Sequence, residues 1–283
     1  MKLRSTLFTA LLVVNAGLVV TGGAVRLTGA GLGCPTWPEC VDGSIKPVIG
    51  QDESQLHAWI EFGNRLLTFV LVLAAVVVVL SVLAAGRKEL RGLALGQILG
   101  IFGQGVLGGI TVLTGLHPAT VAAHFLLSII LIAGATSLRA QRYAPSVKIQ
   151  APALVKKIAT AHIFVTFLVL ILGTVVTGSG PHAGDATAAR FPFDLRTVAW
   201  LHADVVIALL GITFGLFVVH EVSAHTKKRL KIFLAIALSQ GLIGYVQWFT
   251  DLPEILVGLH LAGSTLVWIS SWRIWLSVTT KNG

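Results

Sequence analysis

Residues 57–83 read HAWIEFGNRLLTFVLVLAAVVVVLSVL, and from Leu66 to Leu83 no position carries a charge. A helix needs about 20 apolar residues to cross a bilayer core. This stretch supplies them, and seven others do the same: Leu7–Val25, Leu93–Leu113, Ala119–Leu138, Ile158–Val176, Val198–Val219, Leu230–Phe249 and Ile255–Leu276. None has the period-2 alternation over about 10 residues that marks a membrane β-strand. The composition agrees. Of 283 residues 55% are hydrophobic and 12% charged, against about 25% charged in soluble domains, and the mean hydropathy is +0.85. The expected fold is an all-α integral membrane protein with eight transmembrane helices.

The net charge of +9 would suit nucleic acid if it formed a patch. The basic residues fall instead in short clusters between spans. One alternate set of connecting segments holds 15 Lys and Arg: Lys2, Arg4, Arg87, Lys88, Arg91, Arg139, Arg142, Lys148, Lys156, Lys157, Lys227, Lys228, Arg229, Lys231 and Lys281. The other set holds four: Arg26, Lys46, Arg190 and Arg196. The positive-inside rule then places both termini in the cytoplasm and loops 26–56 and 177–197 outside. Met1–Arg4 followed by an apolar run resembles a signal peptide; its participation in an internal repeat favours a retained helix.

That repeat has an offset of 136: Gln104/Gln240, Gly108/Gly244, Thr114/Thr250, His124/His260 and Ser128/Ser264. Upstream, Val19-Val-Thr-Gly22 matches Val175-Val-Thr-Gly178. The chain divides into four-helix halves, 1–150 and 151–283, joined by a basic, proline-containing linker. An even number of spans in each half gives parallel repeats related by an axis along the membrane normal, not the inverted repeats of many transporters.

Four histidines follow this arrangement. His57 and His202 are expected to open the second and sixth spans, with His124 and His260 about two turns into the fourth and eighth. Intramembrane ionisable residues mark function by default, and hydrogen bonds to backbone carbonyls are the alternative. A compact zinc site would want additional carboxylate or thiolate ligands, whereas a bundle can hold a flat macrocycle between helices with imidazoles on its iron. Of the other histidines, His117 and His182 fall in outer turns, His220 and His225 flank an inner loop, and His162 lies near the inner end of the fifth span. All five are expected to be solvated or interfacial.

On the second span His57, Glu61, Asn64 and Arg65 share a face by helical spacing. Glu61 and Arg65 can pair. The corresponding position four residues after His202 is Val206, so the acid lies outside the repeat. Two cysteines are too few for a disulfide scaffold. Cys34 and Cys40 sit in the first outer loop, on the oxidising side, where a bridge can be structural or redox-active.

The segment Thr21-Gly-Gly-Ala-Val-Arg-Leu-Thr-Gly-Ala-Gly-Leu-Gly-Cys34-Pro-Thr-Trp-Pro-Glu-Cys40 resembles the first outer segment of the heme A synthases. The eight spans, the repeat and the four histidines extend the resemblance across the chain. It implies oxidation of the C8 methyl of heme O to the formyl group of heme A by two hydroxylations, with heme b as cofactor. Carried over by position, His202 and His260 would ligate the heme b iron in the 151–283 half. His57 and His124 would face the iron of the substrate heme in the 1–150 half, and Glu61 would be the catalytic acid. Many members read Glu-x-x-His-Arg where this chain has Glu61-Phe-Gly-Asn64-Arg65, its histidine lying one turn before the acid instead. Arg26, Arg190 and Arg196 are candidates for heme propionates. A complex with the enzyme that supplies heme O and an unidentified electron donor would complete the system in the cell membrane, with the hemes toward the outer side. The alternatives are a diheme b-type membrane cytochrome that transfers electrons without modifying heme, and a transporter.

Overall fold

The computed structural model describes residues 5–142 and 151–280. Among them are eight long helices and no β-strand: α1 Ser5–Leu27, α2 Gln55–Ala84, α3 Arg91–Leu113, α4 Pro118–Ala140, α5 Ala153–Ser179, α6 Leu195–Val218, α7 Ala224–Phe249 and α8 Glu254–Thr279. All eight are long and apolar enough to cross a membrane, and the protein is a multi-pass membrane protein. Much of the linker expected around residue 150, including Lys148, lies outside the described residues, as do Lys2, Arg4 and Lys281.

Three of the helices start where a side chain answers one of the first free amides. Asp194 accepts from the Thr197 amide ahead of α6, and Ser223 from the Thr226 amide ahead of α7. His117 accepts from the Ala119 amide ahead of α4, whose first residue is Pro118. These starts extend several spans beyond their apolar runs: α6 begins at Leu195, not Val198, and α7 at Ala224, not Leu230.

In the first half α1 packs on α2 and α4, and α3 on α2 and α4; in the second α5 packs on α6 and α8, and α7 on α8. The halves meet through α1, α4, α5 and α8. One cluster of buried side chains centres on Phe8, Leu11, Ile129 and Ile132, and a second on Leu216, Leu230, Phe233 and Ile274. Trp268 and Trp272 of α8 stitch the halves, donating to the Ile129 carbonyl at 2.7 Å and the Ser137 hydroxyl at 2.8 Å. Large apolar side chains such as Phe69, Phe102 and Phe249 point outward, as a lipid-facing surface requires.

The offset of 136 carries backbone conformation as well as identity. Gly115 and Leu116 are both left-handed, as are Asp251 and Leu252. The Leu116 amide donates to the Thr111 carbonyl at 2.9 Å, and the Leu252 amide to the Gln247 carbonyl at 2.8 Å.

His162 corrects an expectation. It is fully buried among α5, α6, α7 and α8, not solvated. Nε2 pairs with the Thr213 hydroxyl at 3.1 Å and Nδ1 with the Ser271 hydroxyl at 3.0 Å. The Phe233 ring meets its face edge-on, 4.6 Å between centroids. Both ring nitrogens are answered inside the bundle, so this is a structural core histidine.

Candidate functional site

The end of the bundle bearing loops 28–54 and 180–194 is the one that the charge bias of the sequence predicts to be outer. The histidines expected there sit at different distances along their own helices. Counted from the inner ends of their helices, His124 and His202 are each 16 residues up and His260 is 19. At 1.5 Å per residue that is about 24, 24 and 28 Å. His57 is 27 residues above the inner end of α2, or about 40 Å. It is the third residue of its helix, while His202 is the eighth of its own. The difference arises because α2 reaches further outward than the other even-numbered helices.

The three level histidines have similar surroundings. In each, Nδ1 is buried and has no hydrogen-bond partner. Each presents Cε1 to a glycine on the neighbouring helix. A methyl group built on Gly108 would lie 3.4 Å from the His124 ring, one on Gly173 3.5 Å from His202, and one on Gly244 3.6 Å from His260. Yet each residue as a whole keeps some exposure, so the open side of the ring is the Nε2 side. The carbonyls of Val169 and Gln240 lie beside His202 and His260 without reaching hydrogen-bond geometry. An imidazole with Nδ1 turned toward backbone and Nε2 open is placed to offer the Nε2 lone pair to a metal. Among the described residues no group of three or more His, Cys, Asp or Glu could enclose a bare metal ion. Two imidazoles are incomplete for a bare ion but sufficient as axial ligands of iron already held in a macrocycle. The residues fit a heme.

Glu61 and Arg65 pair as their spacing predicts, and the structure adds what the pair holds. Glu61 is 6% exposed. Its Oε1 accepts from Arg65 Nη2 at 2.6 Å and Nε at 3.1 Å, while Oε2 accepts from the Cys34 amide at 2.8 Å. Arg65 also donates to the carbonyls of Cys34 at 2.8 Å, Thr36 at 3.1 Å and Glu39 at 3.1 Å. The pair therefore clasps the first outer loop onto α2. Cys34 and Cys40 are disulfide-bonded and both fully buried. Trp37 lies across α3 at Gly109, where a methyl group would come within 2.6 Å of the indole.

Asn64, one turn inward of Glu61, accepts the Thr21 hydroxyl of α1 on Oδ1 at 2.7 Å. The sequence placed Asn64 on the right face of α2 but gave no sign of this partner, which is 43 residues away. The outer arginines are committed to backbone. Arg26 donates from Nη2 to the Thr177 carbonyl at 2.7 Å and from Nε to the His182 carbonyl. Arg190 donates to Gly180 at 2.7 Å and to Ala188 and Pro181 at 2.6 Å each. These two fasten the second outer loop, and Arg196 stacks on Trp200, 4.9 Å from the ring centroid. His182 and His117 also have local duties, with Leu252 and Ala119 as partners.

Residues 5–199 match the model of COX15-CtaA, described as cytochrome oxidase assembly protein. The chain belongs to this family. Relatives agree in name. A heme A synthase of Azorhizobium caulinodans is 24% identical over an alignment of 310 residues covering 90% of this chain and 88% of the relative. One of Methylobacterium radiotolerans is 30% identical over 216 residues, covering 64% and 57%. One of Geobacillus thermodenitrificans is 31% identical over 110 residues, covering 38% of this chain and only about a third of the relative, 32%.

Proposed function

We propose that this COX15-CtaA member is a heme A synthase, an oxidoreductase that converts the C8 methyl of heme O to the formyl group of heme A by two successive hydroxylations. The reading places heme b between His202 and His260 in the 151–283 half, and heme O in the 1–150 half with His124 toward its iron. The two halves are then tandem four-helix bundles related by an axis along the membrane normal. What carries the reading is the set of three imidazoles at similar depth in their helices, each with a glycine against its ring and Nδ1 buried, so that Nε2 is the open nitrogen. An imidazole this deep in a span is costly without a task, and iron ligation through Nε2 supplies one.

When bound, heme b supplies one-electron redox chemistry. The chain's own groups do the rest. Both oxygens of Glu61 already accept hydrogen bonds, so the acid acts as a fixed negative charge that stabilises positive charge developing at the substrate's methyl carbon. Arg65 fixes the direction of that carboxylate and closes the disulfide-bonded loop over the first half, excluding water from the reacting edge. His57, at the mouth, faces the substrate from above. The protein sits in the cell membrane with both termini cytoplasmic and its heme sites toward the outer side, and an associated enzyme delivers heme O.

Co-expression with a heme O source, followed by extraction and chromatography of membrane hemes, tests the assignment. Heme A should accumulate with the wild-type chain and fall by at least tenfold with Glu61→Gln. Wild-type membranes holding heme O and heme b but no formyl heme would overturn it.

A further inference from the structure

We infer that the first half offers iron one imidazole, His124, and that the α2 position nearest the depth of His202 is filled by Asn64, about one turn further out, leaving one axial position on that iron open to a small exogenous ligand. The inference rests on the heme A synthase reading and refines the site proposed for the substrate.

The levels carry it. Asn64 is 20 residues above the inner end of α2, within one residue of the height of His260 on α8 and one turn from those of His124 and His202. His57 is seven residues further out, about 10 Å along the helix axis. Gly29 and Gly33 of the outer loop lie against His57, a methyl group at Gly29 falling 3.8 Å from its ring and one at Gly33 2.5 Å from its backbone. His57 thus belongs to the mouth, and no imidazole of α2 stands at the level of His124.

Asn64 is a poor substitute ligand. Its Oδ1 already accepts from the Thr21 hydroxyl and is a neutral amide oxygen, and its other polar atom is Nδ2. An amide nitrogen bears donors and no lone pair for iron. A methyl group at Gly22 would lie 3.8 Å from that nitrogen, so α1 backs it closely. What Asn64 can do is hydrogen-bond to a small ligand held on the iron. The two halves then differ in kind. Two axial imidazoles saturate an iron and suit it to electron transfer, while one imidazole opposed by a donor lets a small molecule bind.

The full chain, purified and reconstituted with iron protoporphyrin IX as the probe for both halves, tests this by optical and electron paramagnetic resonance spectroscopy with cyanide titration. Wild type should hold one low-spin and one high-spin ferric heme in equal amounts, with cyanide binding only the latter. Asn64→His should convert the high-spin heme to low-spin and weaken cyanide binding at least tenfold. Should that variant fold poorly, Asn64→Gly supplies the same reading, because added imidazole should enter its space and produce the low-spin form. His57→Ala should leave both spin states unchanged. Two low-spin hemes in wild type, or loss of a low-spin heme in His57→Ala, would overturn the inference alone. A folded protein taking no heme in either half would overturn both it and the heme A synthase reading.

Discussion

Replacing Arg65 by Met tests whether the guanidinium closes the first outer loop. The substitution keeps most of the apolar stem and removes every donor, so Glu61 loses its counter-charge and the carbonyls of Cys34, Thr36 and Glu39 lose their shared partner. Breaking a buried pair from one side costs about 3–5 kcal/mol. The side chains of Arg65 and Glu61 retain 21% and 8% exposure, so screening favours the lower end, about 3 kcal/mol. That cost falls on the loop, because its carbonyls and the Cys34 amide are what the pair holds. At 1.4 kcal/mol per factor of ten, the open-loop population rises about a hundredfold. Both cysteines are fully buried, so a soluble reductant reaches the disulfide only through local opening. The assay is the rate of Cys34–Cys40 reduction at fixed dithiothreitol, followed by thiol alkylation and mass spectrometry, with the thermal transition of the whole protein recorded alongside. Arg65→Met should accelerate reduction about a hundredfold. Glu61→Gln keeps an acceptor for the Cys34 amide while losing the charge, and should accelerate it about tenfold. A rate for Arg65→Met within about threefold of wild type, with an unchanged thermal transition, would refute the clasp.

Other outcomes follow from single contacts. His162→Ala leaves a cavity and takes one of two partners from each of the Thr213 and Ser271 hydroxyls; it should lower stability by about 3 kcal/mol in detergent unfolding while leaving heme spectra unchanged. At Gly173 a methyl group makes ordinary contact with His202, 3.5 Å away, so Gly173→Ala should keep the second-half heme and Gly173→Leu should displace the ring and lose it, as read by heme content. Thr197, through its hydroxyl and its amide, holds the Asp194 carboxylate below the usual aspartate range. A depressed pKa stabilises above the unfolded value and loses that support as pH falls through the folded one. Exchange of the α6 first-turn amides should therefore be insensitive to the cap from pH 7 to about 5, with the protection lost only below about pH 4; loss beginning near pH 6 would assign the cap to another group.

The spans were legible because a bilayer imposes a length and a composition that few soluble elements imitate. Helix ends were less so, for a reason specific to membranes. The apolar run ends at the hydrocarbon boundary, whereas the helix continues until a cap stops it. α7 runs through Lys227, Lys228 and Arg229 back to Ser223, and α6 begins one turn outside its apolar stretch at the Asp194 cap. Taking the start of each run as the start of the helix put His57 and His202 at one height, and only backbone positions separated them. Glu61–Arg65 was readable because it is local, four residues on one helix. What the pair clasps was not, because the Cys34 and Thr36 carbonyls lie about thirty residues away along the chain.

The two halves share a frame and diverge where chemistry would occur. At the outer end of the first half, a buried carboxylate and its arginine tie down a disulfide-bonded loop, and Trp37 covers α3 at Gly109. The second outer loop has no such chemistry; arginines bound to its carbonyls hold it, one of them Arg26 from α1 of the other half. Through these donors Arg26 and Arg190 anchor the second outer loop between the halves. The division has a physical logic. A group that only relays electrons needs its ligands held still, and the second half surrounds His202 and His260 with packed helices and a pinned loop. A group that must admit a bulky substrate and then exclude water needs a cover that can open, and a loop clasped by one ion pair, through three carbonyls on Arg65 and one amide on Glu61, can release as a unit. Glu61 sits at the joint of that loop, so under the proposed function the closure that would exclude water would also fix the carboxylate's direction, coupling the acid's position to the state of the loop.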